Sequence, residues 1–242
     1  MMYDVLPDSE ISRVLAVTAH PDDIDFGAAG TVARFTDAGI QVVYCVCTDG
    51  QAGGFDLDLP RSEIPRIRRA EQEEAAAQVG VRDVRFLGLV DGELEPSLEL
   101  VSALTAVIRE VRPDRMIIQS PERDWALLPR SHPDHLAAGE AAIRAVYPAA
   151  RNPFAFPGLA AAGLEPWTVR EVWLSAHPTS NHAVDVTDTF DRKIAALLAH
   201  KSQHPQPDQL APRVRDWLTR GAREAGLPEG RLAESFFVVP TG

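Results

Sequence analysis

Short apolar runs alternate with stretches of helical period along most of this chain, and that alternation constrains the fold more than any other feature. Arg13–Thr18, Ile40–Thr48, Val84–Leu87 and Arg115–Gln119 read as strands. Gly27–Ala38, Arg61–Val79, Ser97–Val111 and His135–Val146 read as helices, with Gly39, Gly80 and Pro113 as stop signals and Ser97 as a cap. Strands separated by helices at this spacing predict an α/β fold: a doubly wound, mostly parallel sheet flanked by helices, with right-handed crossovers. Val169–Ala176, Ala183–Val186 and Ser235–Val239 are expected as later strands, and Asp188–Lys201 and Asp208–Ala225 as later helices. The Pro- and Gly-rich stretch Tyr147–Pro166 reads as an elaborate surface loop rather than a hinge. The expectation is therefore one domain over residues 1–242, elaborated after about residue 147. A chain of this length buries an adequate core without disulfides or structural metals, so a metal site in it is expected to be catalytic.

Composition narrows the function classes. The net charge is −11, from 35 acidic and 24 basic residues, which argues against nucleic acid or an anionic membrane as the main partner. No apolar run approaches the roughly 20 residues of a membrane span. The segment Met1–Ser12 has neither a basic nor an apolar leader region, so a cytoplasmic protein is expected. The only cysteines, Cys45 and Cys47, are expected as buried core thiols, unbridged and on opposite faces of their strand.

In open parallel sheets, ligands bind beyond the carboxyl ends of the strands near the point where strand order reverses. The residues just after the first and fourth strands are therefore the place to look for chemistry, and both hold His-Pro-Asp. The first segment reads Ala19-His20-Pro21-Asp22-Asp23 and the second Ser131-His132-Pro133-Asp134-His135. Catalytic zinc commonly takes three histidine or carboxylate ligands and keeps one position for water. His20, Asp23 and His135 supply such a set, and each proline stiffens its turn and suits the first turn of a helix. Adjacent Asp22 and Asp23 can divide the labour between holding metal and taking a proton from water. The competing reading of this pair is helix N-capping, and that of His132 and His135 is a pair of surface helix residues. The coincidence of both segments at strand ends favours the metal site.

These residues resemble the PIG-L/LmbE-like, zinc-dependent N-acetylglucosaminyl deacetylases. The resemblance runs from Val14 to about Gln203. It rests on AHPDD at Ala19–Asp23, TDGQAGG at Thr48–Gly54, RRAE at Arg68–Glu71 and SHPDH at Ser131–His135, with weaker matches at Val184–Phe190 and Ala199–Gln203. It implies a Rossmann-like fold, a zinc cofactor, and hydrolysis of an N-acetylated amino-sugar conjugate by a metal-activated water. By motif position His20, Asp23 and His135 correspond to the metal ligands and Asp22 to the general base. His132 corresponds to a histidine that, when protonated, stabilises the oxyanion or protonates the leaving amine. Arg68 and Asp91 fall where the family binds sugar hydroxyls. Arg130 stands where some members carry an oxyanion-contacting tyrosine, and Ile24 follows the paired aspartates where the family often has glutamate. The resemblance leaves a homo-oligomer open.

Other candidates carry less. His177 and His182 read as pocket-lining or turn histidines, and His200 as a helix-end histidine that the family match brings toward the site. Trp125 reads as a sugar-stacking surface or a satellite core aromatic. The Gly50–Gly54 loop lacks dinucleotide-binding spacing and reads as a lid or substrate loop. No G-x-S-x-G elbow is present, which argues against a serine hydrolase. The alternatives are a metal-dependent amidase acting on a thiol conjugate or other non-sugar amide, and a metal-binding protein without chemistry.

Overall fold

The computed structural model describes residues 5–242. Seven strands form one sheet in the order β3-β2-β1-β4-β5-β7-β6. They are β1 (Arg13–Thr18), β2 (Gln41–Thr48), β3 (Asp83–Leu89), β4 (Arg115–Gln119), β5 (Glu171–Ser175), β6 (His182–Asp185) and β7 (Ala233–Pro240). The pairings from β3 to β5 are parallel, whereas β7 lies antiparallel to both β5 and β6. The fold is thus α/β with a mostly parallel sheet, and the sheet continues through the C-terminal third.

Alternating residues of the central strands sort into two cores. Val14 and Ala16 of β1 pack with α1 (Asp23–Asp37), α2 (Ile64–Gln78), α6 (Phe190–Ala199) and α7 (Leu210–Glu224). Leu15 and Val17 pack with α3 (Leu98–Val111) and α4 (Pro133–Arg144). Near-continuous apolar strands follow from this burial on both sides. Cys45 and Cys47 are free and both buried in the second of these layers. They do not face opposite sides of β2, because the side-chain period of a strand is two and residues two apart share a face.

Helix ends differ from the sequence expectation at one informative place. Helix α1 begins at Asp23, four residues before Gly27, because the first His-Pro-Asp segment leads directly into it. Helix α3 starts where expected, with Ser97 Oγ accepting from the main-chain N–H of Leu100 at 3.2 Å. The segment after α4 is ordered by one side chain. Buried Arg109 donates to the carbonyls of Ala149, Ala150, Asn152, Ala155 and Leu164. Past it lies the short helix α5 (Pro157–Ala161).

Two contacts set the geometry at the carboxyl end of the sheet. Gln119 Oε1 accepts the main-chain N–H of Ala19 at 2.8 Å, tying the exits of β4 and β1 together. Gly139 brings α4 onto the end of β4 so closely that a Cβ there would collide with the carbonyl oxygen of Gln119. Gly139→Ala is expected to destabilise the protein by about 1–3 kcal/mol through overpacking. Chemical denaturation measures this, and a stability equal to wild type would mean that α4 can draw away from β4 at no cost.

Candidate active site

Strand order reverses between β1 and β4. The first His-Pro-Asp segment follows β1 directly, whereas the second comes after β4 only past a loop of residues 120–131 that includes a 3-10 turn at Leu128–Arg130, and each leads into a helix. Asp22 precedes the first residue of α1 and His132 caps α4. Both helices direct their N-terminal N–H groups and positive dipole ends toward the shared space, which favours negative charge there.

His20 is the hub. Its Nδ1 lies 3.3 Å from Asp23 Oδ2, and the same oxygen accepts the His20 main-chain N–H at 2.7 Å. Its Nε2 lies 3.1 Å from Asp91 Oδ1 and 3.1 Å from Asp134 Oδ2. Asp23 Oδ1 meets His135 Nε2 at 3.0 Å, so this carboxylate stands between the two histidines. Ligand atoms of His20, His132 and His135 gather within 4.8 Å of one another, as do those of His20, Asp91 and Asp134. A mixed set of imidazoles and carboxylates at these separations can hold a metal ion.

The charges explain the titration behaviour. Burial opposes protonation of His20, but hydrogen bonds and charge from Asp23 and Asp91 outweigh it and lift its pKa to about 11. Burial also opposes ionisation of Asp23, yet His135 and His20 hold it well below the usual carboxylate range. His135 is raised because the Asp23 charge and hydrogen bond overcome burial, and a hydrogen bond to the main chain of Arg130 adds to this. His132 is lowered by burial and by repulsion from the neighbouring imidazoliums. The cluster therefore calls for a cation, which protonated imidazoles supply when no metal does.

Asp22 stands apart from this cluster. Its backbone adopts φ 89°, a region that aspartate tolerates better than most residues but that still costs about 1–3 kcal/mol. Arg68, buried, holds it there: Nη2 donates to Pro21 O at 2.5 Å and to Asp22 Oδ2 at 3.1 Å, and Nη1 donates to Gly50 O at 3.0 Å. Burial pushes the Asp22 carboxyl up to about 6 against the pull of Arg68. The Gly50–Gly53 part of the glycine-rich loop lies against the Arg68 guanidinium, where a Cβ at either glycine would clash. Its inner half is pinned rather than free, since the Ala52 N–H also donates to Asp91 Oδ2 at 3.0 Å.

His132 Nδ1 accepts the main-chain N–H of Asp134 at 3.2 Å. In the neutral ring the proton then sits on Nε2, leaving a donor for the site. Arg130 is half-exposed on the loop leading into His132, with Nη1 3.8 Å from Asp124 Oδ2. Trp125 on the same loop is 82% exposed, with the Arg123 guanidinium 5.5 Å from its ring.

One acid of the cluster, Asp134, lies outside the sequence candidates, and the remaining candidate histidines lie in a turn, on a strand and at a helix end. Asp134 is buried, and Gly92 N–H and Leu94 N–H donate to its carboxylate. An acid between two histidines on a helix's first turn was the available signal. His177 stacks on Phe237 and His182 packs edge-on against Trp173. His200 is fully buried, with Nε2 2.8 Å from Asp25 Oδ2.

Residues 15–146 match the family model described as PIG-L, GlcNAc-PI de-N-acetylase. The chain is 35% identical over 202 residues to a diacetylchitobiose deacetylase of Thermococcus kodakarensis, covering 83% of this chain and 73% of that protein. It is 36% identical over 196 residues to a probable N-acetyl-α-D-glucosaminyl L-malate deacetylase of Bacillus cereus, covering 79% and 83% respectively. The solved structure of N,N′-diacetylchitobiose deacetylase from Pyrococcus horikoshii, complexed with its inhibitor MPG, superimposes with a TM-score of 0.88. That similarity is at 31% identity over 97% of this chain and 86% of the other.

The His20 environment yields a direct test. Removing one carboxylate destabilises the imidazolium, so Asp91→Asn should lower the His20 pKa from about 11 by about one unit or more. An NMR titration of the metal-free protein reads this shift, and an unchanged His20 titration would remove Asp91 from the ring's surroundings.

Proposed function

The chain belongs to the PIG-L de-N-acetylase family, and from that premise we propose that it is a zinc-dependent hydrolase removing the N-acetyl group of an N-acetylglucosaminyl conjugate. The observation that carries this reading is the meeting of Asp23 with His20 and His135, and of the His132 ring with both imidazoles, where strand order reverses between β1 and β4, with Asp22 held beside them by Arg68. The relatives' names share an N-acetylated glucosamine and differ in what it is joined to, so the acetamide is the common element.

His20, Asp23 and His135 would hold the ion, and their two-nitrogen, one-carboxylate chemistry suits zinc. A bound zinc would polarise the acetamide carbonyl and bring the pKa of water to roughly 7. Asp22 takes the proton as water oxygen attacks the carbonyl carbon. Its raised pKa, about 6, keeps it ionised at neutral pH yet basic enough for that transfer. His132 donates a hydrogen bond from Nε2 to the oxygen that gains negative charge. As the C–N bond breaks, the proton that Asp22 took from water passes to the amine nitrogen, leaving acetate and a free amine. The N-termini of α1 and α4 favour the same developing charge.

Arg68 and Asp91 are assigned to the floor of the sugar subsite, where they also brace Asp22 and His20. Arg130 and the exposed ring of Trp125 are assigned to its rim, the ring offering a flat face for a sugar to stack on. Among the described residues no helix is long and apolar enough to cross a membrane, and the substrate is read as a small amino-sugar conjugate.

Asp22→Asn is expected to keep bound zinc and to lose about 10²–10⁴-fold in turnover. Metal analysis together with acetate release from a panel of N-acetylglucosaminyl conjugates checks both halves, and wild-type turnover would remove Asp22 as the base. His135→Ala should instead lower metal content itself, because it deletes a ligand. Release from non-sugar amides but from no N-acetylglucosaminyl conjugate would favour the amidase alternative.

A further inference from the structure

Behind Asp22 lies a hydrogen-bonded chain of side chains that are closed off from solvent. The main-chain N–H of Asp22 donates to Gln72 Oε1 at 2.8 Å. The other end of that carboxamide, Nε2, donates to Asp25 Oδ2 at 2.8 Å. The same carboxylate oxygen receives His200 Nε2 at 2.8 Å. Gln72, Asp25 and His200 are each fully buried. Lys193, also fully buried, anchors the turn from beneath, its Nζ donating to the carbonyls of Asp25 and Phe26 and to Glu234 Oε1.

The chain has one consistent polarity. An ionised carboxylate only accepts and a peptide N–H only donates, so the residue between them must donate at one end and accept at the other. A carboxamide of glutamine length meets that demand; leucine, methionine or lysine at this position would leave the Asp22 N–H buried without an acceptor. Asp22 needs such support, because its φ of 89° is held against a local preference for negative φ. Arg68 grips the Pro21 carbonyl and the Asp22 carboxylate from one side, and Gln72, one helical turn further along α2, grips the peptide N–H from the other.

We propose that Gln72 is the positioning residue of Asp22: its carboxamide links the buried His200–Asp25 pair to the Asp22 peptide and so aims the Asp22 carboxylate into the site. This inference rests on the reading of Asp22 as the base. Loss of Gln72 lets that peptide rotate and misdirects the carboxylate while leaving the metal ligands in place.

The test uses Gln72→Met, close in volume and without the amide, alone and combined with Asp22→Asn. Amide hydrogen exchange of the Asp22 N–H, which needs no turnover, should accelerate at least tenfold in Gln72→Met. With N,N′-diacetylchitobiose as acetyl donor, kcat should fall about 10–100-fold, the range for loss of a supporting contact. KM and bound metal per chain should stay within about twofold of wild type. In the Asp22→Asn background, followed with enzyme in excess, the substitution should produce no further loss, because a residue acting only through Asp22 has nothing left to position. His200→Phe, which loosens the chain from its far end, should show the same pattern with a smaller loss and serves if Gln72→Met does not fold. Unchanged exchange at Asp22, or an equal loss of kcat in both backgrounds, would overturn the proposal while the base reading stands. Full turnover by Asp22→Asn alone would overturn the base reading, and this inference with it.

Discussion

Pairing of β1 with β4 is the contact on which the site depends. The two strands run parallel, with Val14 opposite Arg115 and Val17 opposite Ile118, and the Gln119 carboxamide closes their exits by accepting the Ala19 N–H. At every other parallel neighbour, crossover helices cover the gap between strands; only where strand order reverses do two chains leave the sheet in diverging directions and open a crevice. Here each departing chain carries His-Pro-Asp into a helix N-terminus. The site thus inherits two positive dipole ends and two stiff turns from the backbone before any side chain is considered.

Around that crevice the protein concentrates carboxylates. Asp23, Asp91 and Asp134 all lie against His20. Such an arrangement is unfavourable without positive charge among the acids, and it is met by protonated imidazole or by a metal ion. Asp22 is kept out of this group by Arg68 and the positive-φ turn. Two neighbours in sequence, both carboxylates, therefore have opposite environments: Asp23 is held ionised, and Asp22 is raised toward neutrality by burial. Environments that push two carboxyl pKa values apart suit the two groups to different tasks, which is the division that the proposed function makes between them.

The supporting structure is polar and buried to a degree unusual for a core. Lys193 with Glu234, His200 with Asp25, and Arg115 with Glu171 are all ion pairs between inaccessible side chains. Buried pairs of this kind contribute little net stability over apolar packing, but removal of one partner strands a charge. Their value here lies in direction. Glu234 receives the N–H groups of Gly30 and Thr31 and so fixes α1 along its length, which holds the first turn of α1, and with it Asp23, in register with His20.

The order of the main strands and helices, the mostly parallel sheet and the two His-Pro-Asp segments at helix starts were all legible in the amino-acid order, though the second segment lies a loop beyond the end of β4 rather than directly after it. Apolar periodicity, caps and breakers act over a few residues, so they are written locally and can be read locally. The same holds for His20, Asp23, Asp22, His132 and His135 as candidates, since residue type and position after a strand suffice to single them out. What only the tertiary structure decided is how these groups are oriented and what they lean on. Asp134 meets His20 across 114 positions, Gln72 holds Asp22 across 50, and His200 holds Asp25 across 175. The antiparallel insertion of β7 between β5 and β6 is likewise invisible in the strand pattern, because an apolar run does not specify the direction of its neighbour. Contacts between distant segments exist only once the chain has packed, and nothing in the flanking residues of Gln72 or Asp134 encodes the partner each one finds.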